Sequence, residues 1–161
     1  MFCLSKGLCA PVGSMLAGSR EFIARARKNR KLLGGGMRQA GILAAAGLVA
    51  LRTMVARLAE DHENARALAA GLGGIRGLAV DAEAVQTNMV AFDVQEPGWD
   101  AAGLVGALAA VGLLSNAMGP RRIRLVTHKD VPAADVPEAL DRIERVLRSG
   151  PGGGARAQVY G

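Results

Sequence analysis

The sequence predicts an α/β chain in which residues 76–148 form a small α+β domain, with helices on one face of a mostly antiparallel sheet. Three observations predict this. Half of the 161 residues are apolar and 21% are charged, enough for a buried core and unlike a disordered charged tail. From Met37 to about Leu72 the apolar residues recur at helical spacing. Beyond Gly74 they alternate, Val90, Phe92 and Val94 facing one way and Asp93 the other, and the elements then read β, β, α, β, β, α.

In chain order, Phe2 to Ser5 and Val12 to Leu16 read as short strands, with Lys6 to Pro11 turning between them. Ser19 is placed to cap a basic helix from about Arg20 to Leu32, which Gly34, Gly35 and Gly36 stop. From Met37 a helical stripe of Ala44, Leu48, Leu51, Val55 and Leu58 is expected, continued by Ala65, Leu68, Ala69 and Leu72 with Glu60, Glu63 and Arg66 off it. Leu78–Val80 and Met89–Val94 follow as strands, then Ala101–Val111 as a buried helix and Leu113–Ser115 as a short strand. Arg122–Thr127 alternates as a strand, with Ile123 and Leu125 on one face and Arg122, Arg124 and Val126 on the other. Asp135 and Glu138 have the spacing of a capping box before a final helix striped by Leu140, Ile143 and Leu147, and Ser149 to Gly161 reads as a flexible tail. The stretch before residue 76 cannot cover its own strand edges, so it is expected to be part of something larger.

Composition narrows the function classes. The chain carries 22 glycines and only five aromatics, so its core is aliphatic and alanine-rich. The net charge of +6 is local: Lys6, Arg20, Arg25, Arg27, Lys28, Arg30, Lys31 and Arg38 face a single acid, Glu21, in the first 38 residues. Cys3 and Cys9 are too close together to define a disulfide framework and read as free thiols, and no histidine or cysteine cluster has zinc spacing. Lys6 interrupts the N-terminal apolar run, and the uncharged stretches Ala40–Leu51 and Ala101–Leu114 fall short of the ~20 residues that span a bilayer. A cytoplasmic protein with no metal, no membrane and no nucleic-acid partner is expected.

Three places can carry chemistry. Lys6 stands in an otherwise apolar, glycine-flanked segment, where burial would favour the neutral, nucleophilic amine used in Schiff-base chemistry; a solvated turn lysine is the alternative. Gly34-Gly35-Gly36-Met37-Arg38-Gln39 at a helix start offers free N–H groups and a cation to an anion, or is a plain turn between helices. Arg124, opposite Ile123 and Leu125, presents a fork of donors suited to a carboxylate, or lies on a solvated strand face. His62 and His128 read as a helix-surface and a loop histidine.

These places fall within one string: the run from Cys3 through Ser5-Lys6-Gly7-Leu8-Cys9-Ala10-Pro11-Val12-Gly13-Ser14, then Arg30 to Gly47 containing Gly34-Gly35-Gly36-Met37-Arg38-Gln39, then Arg124-Leu125-Val126-Thr127-His128. Over residues 2 to about 148 the chain closely resembles the low-specificity L-threonine aldolases, pyridoxal 5'-phosphate lyases of the aspartate-aminotransferase fold, fold type I. The resemblance implies that Lys6 holds the cofactor's aldehyde and that Arg124 holds the substrate α-carboxylate. It further implies that Lys31 and Arg38 support the cofactor phosphate or the active site, in this or a neighbouring subunit of a homodimer or homotetramer. The reaction implied is retro-aldol cleavage of L-threonine or L-allo-threonine to glycine and acetaldehyde.

Only five residues precede Lys6, whereas the family's pyridinium-pairing Asp, ring-stacking His, phosphate loop and a second carboxylate-binding Arg lie upstream of this lysine. The chain is therefore expected to be a C-terminal fragment, inactive alone. Residues 1–40 would be a remnant of the large cofactor-binding domain, 41–75 connecting helices, 76–148 the small α+β domain and 149–161 a tail. A β-eliminating relative and a non-catalytic basic interaction module are the competing readings.

Overall fold

The computed structural model describes residues 1–151 and divides the chain into two compact units, Met1–Leu58 and Ala59 onward. Residues 152–161, most of the expected tail, lie outside the described residues.

In the first unit, β1 (Phe2–Cys3) pairs antiparallel with β2 (Ser14–Met15), Phe2 opposite Met15 and Cys3 opposite Ser14. Both strands are shorter than the expected Phe2 to Ser5 and Val12 to Leu16, because the chain between them bonds to itself. The Leu4 amide donates to the Gly13 carbonyl at 2.9 Å, the Ala10 amide to Leu4 at 2.9 Å and the Cys9 amide to Lys6 at 2.8 Å. The loop turns Leu4, Leu8 and Ala10 inward, where they pack with Ala50, Leu51, Met54 and Leu58.

Helix α1 (Arg20–Leu32) begins as expected, the Ser19 hydroxyl accepting from the Phe22 amide at 3.3 Å, and buries none of its residues. Helix α2 (Gly41–Thr53) begins four residues later than Met37. Its expected stripe is corrected too: Ala44, Leu48 and Val55 are exposed, and the buried positions are Gly47 and Ala50. The segment is apolar on every side, so periodicity could not choose a face. The small residues chose it, since a Cβ on Gly47 would lie 3.1 Å from Leu4 Cδ1.

Helix α3 (Leu58–Gly73) leads into the second unit and buries Ala65, Leu68, Ala69 and Leu72 as expected, together with Asp61 and Asn64. The strands β3 (Leu78–Val80), β4 (Met89–Val94), β5 (Asn116–Ala117) and β6 (Arg122–Val126) form one sheet, order β3-β4-β6-β5, with every pairing antiparallel. Helix α4 (Ala101–Ala110) is capped by the Asp100 carboxylate accepting from the Gly103 amide at 2.7 Å. Leu113–Ser115 is not a strand: the Leu113 amide bonds back to the Leu108 carbonyl at 2.9 Å, closing the end of α4, and pairing begins at Asn116.

Helix α5 (Asp135–Ser149) lacks the expected capping box, since Asp135 is itself the first helical residue and Ala134 at the cap has no side-chain bond. Asp135 and Glu138 instead sit in the first turn, where the helix dipole favours negative charge. The core lies on one face of the sheet, where Val90, Phe92, Val94, Ile123 and Leu125 cluster with Leu68 and Leu72 of α3, Leu104 and Leu108 of α4, and Ile143 of α5. The other face carries Met89, Ala91, Asp93, Arg122, Arg124 and Val126, none of them fully buried. Arg124 stands on that open face.

Candidate active site

Lys6 lies in the expected turn, which its carbonyl closes by accepting from the Cys9 amide, and its side chain is exposed. The expected desolvation is therefore not provided by the described residues. Among them, no hydrogen bond or ion pair engages its ammonium. The turn also carries backbone strain: Cys9 has φ 59°, in the left-handed region that costs an L side chain roughly 1–2 kcal/mol. A Cβ at the adjacent Gly7 would fall 2.8 Å from Leu58 Cδ2, so the turn presses closely on its own core.

The glycine-rich stretch follows α1 rather than opening α2. Arg38 and Gln39 form a bend ahead of Gly41, so Arg38 is exposed and outside the first helical turn, contrary to the expected helix-start site. Gln39, at φ 53°, is the other non-glycine residue in the left-handed region among the described residues. Both strained positions thus fall in the two loops singled out by motif, where stored strain is a recurrent mark of function. Lys31 folds over this loop: a Cβ on Gly36 would lie 2.7 Å from Lys31 Cδ and 2.8 Å from its Nζ. The missing side chain of Gly36 is what lets an ammonium lie against the backbone there.

Arg124 stands mid-strand on the open face, between Ala91 of β4 and Asn116 of β5. It is half-buried, and its Nε is buried with no hydrogen-bond partner. Arg122, two residues earlier on the same face, already has a carboxylate within 3.9 Å, that of Asp93. Among the described residues no carboxylate pairs with Arg124. A buried guanidinium N–H left unbonded costs free energy unless a ligand accepts from it. A planar carboxylate suits that fork.

Lys6, Lys31 and Arg38 therefore belong to the first unit and Arg124 to the second, and no bond joins Lys6 to Lys31 or Arg38 among the described residues. His128 is an exposed loop residue whose Nδ1 accepts from the Asp130 amide at 3.3 Å. Sequence reasoning missed a polar set at the end of β6, in which Thr127, Asp61 and Asn64 are buried and Asn88 half-buried. The Thr127 hydroxyl donates to the Asp61 carbonyl at 2.6 Å, and the side-chain amides of Asn88 and Asn64 donate to the carbonyls of Thr127 and Val131 at 2.8 and 3.0 Å. A signal existed: Asp61 and Asn64 stand in register with the stripe of Ala65 and Leu68, and Thr127 continues the inward alternation of Ile123 and Leu125.

Three comparisons bear on this arrangement. The chain is 47% identical over 148 residues to a probable low-specificity L-threonine aldolase 2 of Arabidopsis thaliana, covering 91% of this chain and 42% of that protein. It is 48% identical over 136 residues to the low specificity L-threonine aldolase of Escherichia coli K12, covering 84% of this chain and 39% of that one. A solved putative L-allo-threonine aldolase from Listeria monocytogenes superposes with a TM-score of 0.68 at 19% identity, over 91% of this chain and 43% of that chain, and so shares the fold. The chain thus spans about two fifths of the length of the curated relatives it matches. The sequence model of the beta-eliminating lyase family matches residues 1–95, a stretch holding both strained loops with Lys6, Lys31 and Arg38, and the chain accordingly belongs to that family.

Proposed function

We propose that this chain carries part of the active site of a pyridoxal 5'-phosphate-dependent lyase of the threonine aldolase type, cleaving L-threonine or L-allo-threonine to glycine and acetaldehyde. The observation that carries the reading is the buried, unbonded Nε of Arg124 on the open sheet face, a fork of donors set for a substrate carboxylate. The residues present fit the cofactor: Lys6 offers an amine unengaged among the described residues, and the Gly36 cradle holds the Lys31 ammonium against a backbone that an anionic phosphate can approach. In this reading Lys6 holds the cofactor's aldehyde, and Lys31 and Arg38 neutralise its phosphate. The cofactor supplies an electron sink for the pair released when the Cα–Cβ bond breaks. Arg124 fixes the carboxylate so that this bond, and not another at Cα, is presented for cleavage.

The same reading assigns residues 1–40 to the large cofactor-binding domain, 41–75 to connecting helices and 76–148 to the small domain, in a cytoplasmic homodimer or homotetramer. Among the described residues no single helix is long and apolar enough to cross a membrane. Its test is chemical. The protein is incubated with pyridoxal phosphate, reduced with borohydride and mapped by peptide mass; the pyridoxyl group is expected on Lys6, and a label confined to Lys28 or Lys31 overturns the assignment. The family match also admits β-elimination, which product analysis separates: glycine and an aldehyde in one case, ammonia and a keto acid in the other.

A further inference from the structure

We propose that Thr127 is a positioning residue for Arg124, clamping the end of β6 so that the guanidinium is held where it meets a carboxylate; this rests on the reading of Arg124 as the carboxylate anchor. Strand β6 is five residues long and ends only two residues past Arg124. A strand end frays unless something ties it.

Thr127 ties it in three directions. Its amide donates to the Asn88 carbonyl at 2.9 Å, adding one rung beyond the Met89–Val126 pair. Its carbonyl accepts from the Asn88 side-chain amide at 2.8 Å, so that one residue grips both main-chain groups of the other. Its hydroxyl, in a residue 2% exposed, donates to the Asp61 carbonyl in the first turn of α3 at 2.6 Å. Just beyond, Asn64 holds the Val131 carbonyl at 3.0 Å, so the loop leaving β6 is pinned to the same helix.

Nothing in the packing asks for a hydroxyl at Thr127. The inward alternation of Ile123 and Leu125 would be continued by valine, which has the same shape but cannot donate. The hydroxyl therefore serves the tie rather than the core. What it protects is register: Arg124 stands between Ala91 and Asn116 only while β6 keeps its pairing, and a slip of one residue would turn the guanidinium to the opposite face.

The test reads Arg124 directly. The full chain is labelled with 15N-arginine, and the Arg124 Nε–H signal, assigned by its loss in Arg124→Lys, is followed while glycine is added as the carboxylate probe. The single tryptophan, Trp99, buried in the core of the second unit, reports through its indole signal whether the fold persists. Wild type is expected to titrate. Thr127→Ser, which keeps the hydroxyl, should share its midpoint, and Thr127→Val should raise the midpoint about threefold to tenfold, the scale of one lost hydrogen bond. Should Thr127→Val lose the Trp99 signal, Asn88→Ala decides, because it removes only the grip on the Thr127 carbonyl and is expected to raise the midpoint as well. A wild-type midpoint in the folded Thr127→Val protein, or in Asn88→Ala where that variant decides, overturns the positioning role while leaving the carboxylate reading intact. A wild-type Arg124 signal that does not respond to glycine overturns the carboxylate reading itself, and the positioning inference with it.

Discussion

Gly71 lies in the last turn of α3, against Leu140 of α5, and replacing it with alanine should destabilise the protein even though it improves the helix. A Cβ built there would stand 2.2 Å from Leu140 Cδ1, 2.8 Å from Cδ2 and 3.0 Å from Cγ. The two methyls can rotate, but the contact at Cγ obliges the whole side chain, and with it the seam between the helices, to shift. Alanine gains about 1 kcal/mol over glycine in a helix interior. Overpacking of a well-filled core costs about 1–3 kcal/mol, so a net loss near 1 kcal/mol is expected. In a domain of this size that lowers the melting midpoint by roughly 4–8 °C. Differential scanning calorimetry of Gly71→Ala, Leu140→Ala and the double variant measures it, with the sign as the signature. Gly71→Ala should destabilise the wild type and stabilise the Leu140→Ala background by about 1 kcal/mol, because the clash is gone and only helix propensity remains. A Gly71→Ala protein that melts higher than wild type would refute the close approach of α3 and α5.

Further outcomes follow from the sites described. Arg124→Lys keeps the charge but loses the planar fork, and the half-saturating glycine concentration, read by isothermal titration calorimetry, should rise about tenfold to a hundredfold, as for loss of a charge-assisted bond; an unchanged value would place the carboxylate elsewhere. Cys9→Gly relieves a left-handed φ of 59° and should raise stability by up to about 1 kcal/mol after the entropic cost of glycine, measured by urea titration. Glu138→Gln breaks the i,i+4 pair with Arg142, which also donates to the Val111 carbonyl at 2.8 Å, so the loss should be only about 0.3–0.5 kcal/mol at low ionic strength and should vanish in high salt. A loss that persists in high salt would assign the pair a packing role instead.

The fold of the second unit was legible because its strands alternate cleanly. Val90, Phe92 and Val94, and Ile123 with Leu125, announce which face is buried, and the observed register agrees. Helix α2 was legible as a helix but not in orientation. Its run of glycine, alanine and branched residues has no polar side, so the buried face was settled by where Leu4 could fit against Gly47. The start of α2 was misplaced because three glycines and Met37 carry no sign of the bend at Arg38 and Gln39. The capping box at Asp135 failed for a related reason: the spacing was right, but the backbone had already become helical at the supposed cap.

Of the candidate site, the sequence by itself determined the residue types: a turn lysine between Ser5 and Gly7, a glycine-rich basic loop, and an arginine opposite two core residues. Motif and alternation are local properties, and one-dimensional order is enough to show them. Only the tertiary structure decided which donors are left without a protein partner among the described residues. Arg122 and Arg124 are indistinguishable by pattern, yet strand pairing sets one beside Asp93 and the other between Ala91 and Asn116. The bonds from Thr127 to Asp61 and from Asn64 to Val131 likewise join residues more than sixty positions apart, and such partners exist only once the sheet has closed against α3.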